Sequence, residues 1–568
     1  MKKLLAIAFL ISATAVAQQP AIDAQSPSLP PAVPLQIAPR VGIATEVQLT
    51  LPDVIQAVLA NNRDVEVSRL SIQNASSNIS AAKGYFDPVI GGTGYKLRQV
   101  TPQASSLGGA VNGAVAQDEV FADPQISGNS PWLGSIYTLD FSSAKINNNS
   151  SFNALNPTYA TGATINLTQP LWRGLVLDQN RERLRVAHKS SAQTDEQFKQ
   201  SVITTVTQAI HAYLELEYAL RNLDVQIEAV RLAEQQDASN RRQVEQGTEA
   251  VVDVIQTQTQ MSNYQQNVFN AQQALTQAEN TLKSLMLPDH SDPMWNAALK
   301  TAITPDESAP IPTLQEAMRQ ALAERPDLKA GEIGVQISEL DARLAKEQTK
   351  PQINLIAQVG VQGLAGQTVA SSGGGFGAIF LPILNQINQL STLAGIPPLA
   401  PSSLGSTSSV PDFFVGGYGQ SLQNFRDGRF PTVKIGVQVS LPIGNRTARA
   451  ESAIANVNQK QSIAQQQQLE MTVESDVRNT LQKLMNSDLI QNTARRAAQL
   501  AQQQLDSEQR QFKAGTSSVF LVLQRQSELI AAKLREIRAT ADRGEAQADF
   551  DRATANTLHR QNVDISAK

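Results

Sequence analysis

The 568-residue chain has no cysteine, only four histidines, an aromatic content of 5% and no long uninterrupted apolar run. Each absence excludes something. Without cysteine there is no disulfide scaffold, no thiolate-ligated zinc or iron–sulfur site, and no cysteine nucleophile. Without about 18 consecutive apolar residues no helix of the mature chain crosses a bilayer, so insertion in a membrane would require a β-barrel, the other structure that satisfies the backbone in lipid. The nearest candidate, Phe380 to Leu393, is interrupted by Asn385, Gln386, Asn388 and Gln389. Neither charge dominates: 47 Lys and Arg against 51 Asp and Glu, net −4, gives no basic excess, and no nucleic-acid partner is expected. His188, His211, His290 and His559 are scattered; His211 and Glu215 share a helix face but lack a third metal ligand. There is neither a Walker loop nor a G-x-S-x-G elbow, and Gly373-Gly374-Gly375 sits in a Ser/Gly/Pro-rich loop without the strand–helix context of a phosphate cradle. The protein is therefore expected not to be an enzyme and to hold no metal or cofactor.

What is present begins with an export signal. Lys2 and Lys3 precede an apolar run from Leu4 to Ile11 and small residues ending Ala15-Val16-Ala17, the pattern of a signal peptide over residues 1–17. No cysteine stands at the cleavage site to carry a lipid. Residues 18–48, rich in proline from Pro20 to Pro39, read as an extended linker.

The remainder is expected to be a tandem duplication. An offset of 263 lays Leu51 on Leu314, Leu59 on Leu322, Asp64 on Asp327, Gln73 on Gln336 and Pro88 on Pro351. At an offset of 268, Gln246-Gly247-Thr248 falls on Ala514-Gly515-Thr516. The first repeat, 49–310, reads as helices over 49–87, strands over 88–98 and 160–170 flanking a loop at 99–159, a long helix over 173–246 and a return helix over 249–287. The second, 311–560, reads as helices over 313–350, strands over 352–363 and 431–441 flanking a loop at 364–430, a long helix over 446–513 and a return helix over 517–558; 561–568 is a tail.

Neither Pro nor Gly occurs between Gly174 and Gln246, and Val202, Val206, Ala209, Tyr213, Leu216 and Leu220 recur in steps of four and three, a heptad seam. A helix of about 70 residues is about 100 Å long and needs neighbours along its length. In the strands, Val433, Ile435, Val437, Val439 and Leu441 alternate with Thr432, Lys434, Gly436, Gln438 and Ser440, which suits a wall with lipid on one side and a water-filled lumen on the other. Tyr85, Phe86 and Trp172 flank the strands at one end, as a membrane-interface girdle would. Four strands cannot close a membrane barrel, so the chain must oligomerise; a dimer would give eight strands and a filled interior, whereas a trimer gives twelve strands, room for water and a ring of helices. Within the second loop, Phe380, Ile383, Leu384, Ile387, Leu390 and Leu393 have the spacing of a short amphipathic helix at the outer mouth.

These features together resemble the TolC family of outer-membrane efflux proteins. The resemblance rests on Leu51 through Asn62, its repeat at Leu314 through Arg325 followed by Pro326-Asp327-Leu328, Gln169-Pro170-Leu171-Trp172, and Gln246-Gly247 through Asp253-Val254, and it covers about Leu49 to Leu558. It implies a mainly α fold with a membrane β-barrel, internally duplicated: a homotrimeric, twelve-stranded barrel in the outer-membrane lipid, continued by an α-helical barrel in the periplasm. It implies a passive exit duct of a tripartite efflux or type I secretion system, with a periplasmic adaptor protein and an inner-membrane pump as partners. The entrance would lie at the turns after the long helices, at Gly247 and Gly515. Asp253 matches an acidic position of the family's entrance network, with Glu249 one turn before it. Ser517, Leu521 and Gln524 stand where some members carry an arginine and two aspartates, so an apolar constriction by Leu521 competes with an acidic ring. The alternative from another class is a structural or adhesive periplasmic coiled-coil protein that never enters the membrane.

Overall fold

The computed structural model describes residues 31, 34–104, 113–150, 153–302, 310–369, 376–399 and 410–564. The expected signal peptide, most of the proline-rich linker before residue 34, Gly373-Gly374-Gly375 and the end of the 561–568 tail lie outside the described residues.

Helix starts follow local chemistry. Thr50 caps α1 (Leu51–Asn61), its hydroxyl accepting from Asp53 N while the Asp53 carboxylate accepts from Thr50 N at 3.0 Å. Thr313 and Glu316 form the same box at α5 (Leu314–Glu324). The short helices then break and restart. Asn62 closes α1 and caps α2 (Arg63–Lys83), accepting from Asp64 N and Val65 N. Arg325 stands at the same place before α6 (Pro326–Gln348), where the following proline forces extended backbone.

Two long helices, α3 (Gln179–Glu245) and α9 (Arg446–Lys513), run the height of the molecule. Near the sheet they pack side by side with α2 and α6, in the order α2–α3–α6–α9. Further away the return helices α4 (Val251–Met286) and α10 (Val519–Ala553) take over, in the order α4–α3–α10–α9. The heptad seam of α3 is buried: Val202, Val206, Ala209, Tyr213 and Leu216 are each at most 2% exposed. Among the described residues no helix is long and apolar enough to cross a membrane.

Between the two tiers, β1 (Thr45–Leu49) and β6 (Ala297–Thr301) form a two-stranded parallel sheet against α3 and α4. The buried Tyr213 hydroxyl donates to Leu49 O at 3.3 Å and Ala302 O at 3.0 Å, and burial, then the Glu217 charge, pushes its phenol up to about 12, so it stays a donor. Lys283, 1% exposed, donates to Trp295 O and Ala297 O. Glu279 accepts from Leu299 N and from Arg40. Buried charges thus end on partners, as they must. A short helix, α11 (Thr557–Arg560), follows α10.

The main sheet corrects one expectation. The segment 99–159 is not a loop. Among the described residues it holds two further strands, so that the antiparallel sheet has six, in chain order: β2 (Val89–Pro102), β3 (Ala114–Asn129), β4 (Ile136–Asn148), β5 (Leu155–Pro170), β7 (Gln352–Thr368) and β8 (Phe430–Ser440). The expectation of four strands per chain fails because β3 and β4 have a blunt alternation, with Ala122, Pro124, Gly128 and Ser143 on the side where the other strands carry branched side chains. The register aligns whole rows. Ile90, Ile126, Leu139, Ile165, Val359 and Val433 face one another across all six strands, and every one is exposed. The next row, on the opposite face, is Gly91, Gln125, Asp140, Thr164, Gly360 and Thr432. In these rows one face of the sheet is apolar and the other polar, and further from the helices Lys96, Arg98, Asp118 and Lys145 fall on the apolar side.

The segment 364–430 is also not wholly loop: β7 continues to Thr368, and two helices follow, α7 (Phe376–Leu393) and α8 (Tyr418–Arg426). The amphipathic spacing from Phe380 falls in α7, where Leu384 is buried while Leu390 and Leu393 are exposed. Helix α8 lies against β7 and β5. Ser421 Oγ is 2.9 Å from Thr161 Oγ1, and Gly363 is required there because a Cβ would meet Ser421 O at 2.1 Å.

Candidate functional site

At the end of the helices away from the sheet, both long helices stop in the same way. Gly247 has φ +75° and Gly515 φ +74°. Gly247 N donates to Val244 O and Thr248 N to Gln243 O; Gly515 N donates to Phe512 O and Thr516 N to Gln511 O. This pair of bonds is the Schellman stop, and it needs a left-handed residue in which glycine has no Cβ penalty. Both glycines have open space around the missing Cβ, so only backbone strain opposes a side chain. Gly247→Ala and Gly515→Ala are each expected to lower unfolding free energy by roughly 1 kcal/mol in thermal unfolding, and an unchanged value would mean that the turns relax out of φ > 0.

The return helices leave the two turns with different chemistry. Asp253 lies in the first turn of α4, half-buried, one position from the exposed Val252. Burial, and then the Asp253 charge, raise the Glu249 carboxyl above its ordinary range. At the second turn the position corresponding to Asp253 is Leu521, 36% exposed beside an even more exposed Phe520. Ser517 donates to Glu508, Glu508 lies 3.9 Å from Arg525, and Arg525 pairs with Glu528 at 2.6 Å; Gln524 Nε2 donates to Glu528 at 3.0 Å. The structure therefore brings Glu249 to Asp253 and builds a separate charged chain around Ser517 and Gln524. The two return helices meet higher up, where Ser527 bonds Gln260 at 3.1 Å and Tyr264 at 3.0 Å. Glu508, Arg525 and Glu528 escaped the sequence reading. The Arg525–Glu528 spacing was a visible helical pair, but Glu508 joins it only through the hairpin of α9 and α10.

At the other end, Tyr85 and Phe86 form a single helical turn before β2, and Trp172 follows β5. Tyr85 and Trp172 are half-exposed. The Tyr85 hydroxyl accepts from Arg183 at 2.6 Å, which ties it to α3. Trp132, 85% exposed in the β3–β4 turn, is a further aromatic at this end, missed because its segment was read as loop. His211 and Glu215 diverge: His211 Nε2 faces Asp549 at 3.2 Å, while Glu215 pairs with Arg538. Among the described residues no group of three or more potential ligands is arranged to hold a metal.

The site thus consists of a two-faced sheet standing on two tiers of helices that end in paired glycine turns. A family model described as outer membrane efflux protein matches residues 135–286, from β4 through α3 and the first glycine turn to the end of α4. That match spans about a quarter of the chain and is a likeness to the outer membrane efflux protein family over this segment. Solved structures agree in fold over nearly the whole length of the chain. The outer-membrane channel OprN is 14% identical, with a TM-score of 0.60 over 89% of this chain and 90% of its own. The Campylobacter jejuni outer membrane channel CmeC is 14% identical, with a TM-score of 0.60 over 95% of this chain and 100% of its own. The open state of the Neisseria gonorrhoeae MtrE outer membrane channel is also 14% identical, with a TM-score of 0.55 over 89% of each chain. At such identity the likeness is one of fold. No curated protein matches the chain by sequence.

Proposed function

We propose that the protein is a passive homotrimeric channel in the bacterial outer membrane, the exit duct of a tripartite efflux or type I secretion system. Energy comes from an inner-membrane pump that reaches the duct through a periplasmic adaptor protein. The observation that carries this reading is the exposed apolar row crossing all six strands, backed by a polar row and bounded by two unpaired edges, β2 and β8. Open strand edges are not tolerated in lipid, so further copies complete the wall. The helical edges support the same assembly. Ile454, Val457 and Met471 on α9 and Val67 and Leu70 on α2 are exposed at opposite ends of the helical layer, where a neighbouring copy would cover them. Three copies would put twelve helices in each tier of a periplasmic tube, with the glycine turns at its entrance. The matching caps at Thr50 and Thr313, and the matching stops at Gly247 and Gly515, support descent from one duplicated unit.

In the closed tube Glu249 and Asp253 recur three times around the axis and favour cations, while Leu521 narrows the opening with an apolar side chain. Single-channel recording of the purified protein in planar bilayers tests the reading. We expect a steady cation-selective current, made less selective by Asp253→Ala and larger by Leu521→Ala. A folded oligomer that stays water-soluble and never inserts would sink it in favour of the periplasmic coiled-coil alternative.

A further inference from the structure

The strands β3 and β4 are surplus to that reading. They lie between β2 and β5, and they are long: β3 faces β2 from Val89–Ser127 to Pro102–Ala114, and β4 faces β5 from Ile136–Thr168 to Ile146–Thr158. At 3.3 Å per residue, a strand of 13 to 16 residues reaches roughly 43–53 Å, enough to cross a tilted barrel wall. The two strands carry both faces of the sheet. Ile126 and Leu139 belong to the exposed apolar row, and Gln125 and Asp140 to the polar row behind it.

Their turn, at 130–135, is at the helix end of the sheet and is clamped there. Arg181, 7% exposed on α3, donates to Trp132 O at 3.1 Å and to Leu175 O at 3.0 Å. Gln169 Nε2 donates to Leu133 O at 3.1 Å, and a Cβ on Gly134 would meet Asp178 Oδ2 at 2.7 Å. A hairpin that merely decorated the outer mouth would not reach the helices. Because the insertion is an even number of antiparallel strands, β2 and β5 keep the directions they would have as direct neighbours, so the rest of the fold accepts it unchanged.

We propose that β3 and β4 are full staves of the membrane wall, so that three copies close an eighteen-stranded barrel, with β8 of each copy paired to β2 of the next. The proposal rests on the homotrimer proposed above and replaces the twelve-stranded count. Barrel diameter grows about linearly with strand number, so the lumen is about half again as wide as twelve strands would give. Its charge also changes sign. On the polar face, β2, β5, β7 and β8 contribute Lys434 and no acid, whereas β3 and β4 add Glu119, Asp123 and Asp140.

The absence of native cysteine makes the test clean. Single variants Gln125→Cys and Thr138→Cys on the polar face, and Ile126→Cys and Leu139→Cys on the apolar face, are reconstituted in liposomes and treated with a membrane-impermeant maleimide; native mass spectrometry gives the copy number. Polar-face cysteines are expected to react at least about tenfold faster than apolar-face ones, which a lipid-borne quencher should reach once labelled with a fluorophore. Two positions on each face guard against one variant that does not fold. Equal water access on both faces in a trimer would overturn the wall role of the hairpin and leave the trimer standing. Alternating access with another copy number would overturn the eighteen-strand count together with the trimer.

Discussion

Arg325→Met is expected to destabilise the helical layer by about 3–5 kcal/mol, the cost of leaving the partly buried Asp327 carboxylate without its cation and of losing the bonds to Asp476 and Ala553 O. Arg325 is 8% exposed in its side chain and holds three elements at once. Its Nε and Nη2 bond the Asp327 carboxylate at 3.0 and 2.7 Å, and its Nη1 bonds Asp476 Oδ2 at 2.8 Å and Ala553 O at 3.2 Å. Burial works against the guanidinium charge, but the carboxylates of Asp327 and Asp476 outweigh it and the pKa is raised. Asp476 would keep Arg552 at 3.1 Å, whereas Asp327 would lose its cation. Denaturant unfolding of the detergent-solubilised protein measures the loss. Lys329→Met, at an exposed pair with Glu324, is the control and should change stability by less than about 1 kcal/mol. If Arg325→Met and the control behaved alike, the network would not hold the hinge. The first repeat does the same job with a neutral group. Asn62 Nδ2 bonds Leu285 O, the carbonyl that corresponds to Ala553 O, so the equivalent hinge there should be far less sensitive to loss of a charge.

The second large effect is on pH dependence. Glu182, buried near the start of α3, is pushed up to about 7 by burial, then by its hydrogen bond to Asp341 on α6 and by that residue's charge, with Arg183 opposing. The folded pKa lies above the ordinary 4.5, so the folded state holds the proton more tightly than the unfolded one. The contact's contribution is therefore complete below about pH 4.5 and is lost as pH rises through about 7. Allowing for solvent screening, wild type should lose about 1–2 kcal/mol between pH 5 and 8.5 relative to Glu182→Gln, which keeps a neutral donor in place. The measurement is the difference between the two unfolding curves at each pH, so that groups common to both cancel. A difference that does not vary with pH would show that Glu182 is ionised throughout.

How much of this was legible in the sequence depends on the range over which each feature is encoded. The heptad seam of α3 and the glycine stops at 247 and 515 are legible because helix geometry and end-capping are local, and the caps that the structure adds at Thr50, Asn62 and Thr313 likewise act within a few residues. Strand β8 declared itself because from Thr432 to Ser440 each of its apolar side chains is branched and each neighbour small or polar. Sequence alone thus determined the long helices, their turns and the two-faced strands.

Only the tertiary structure decided the number of strands and the partners of the buried charges. Alternation is blunt in β3 and β4, and Pro124 argues locally against a strand; it falls where the β3–β4 register passes from Ala122 to Gln125, so no ladder bond depends on its missing N–H. What makes these segments strands is the hydrogen-bonding edge offered by β2 and β5. The pairs Arg325–Asp476, Arg538–Glu215 and Glu182–Asp341 join residues more than 140 positions apart. No local pattern announces such a pair, because the energy that fixes each partner arises only when packing has removed water from between them.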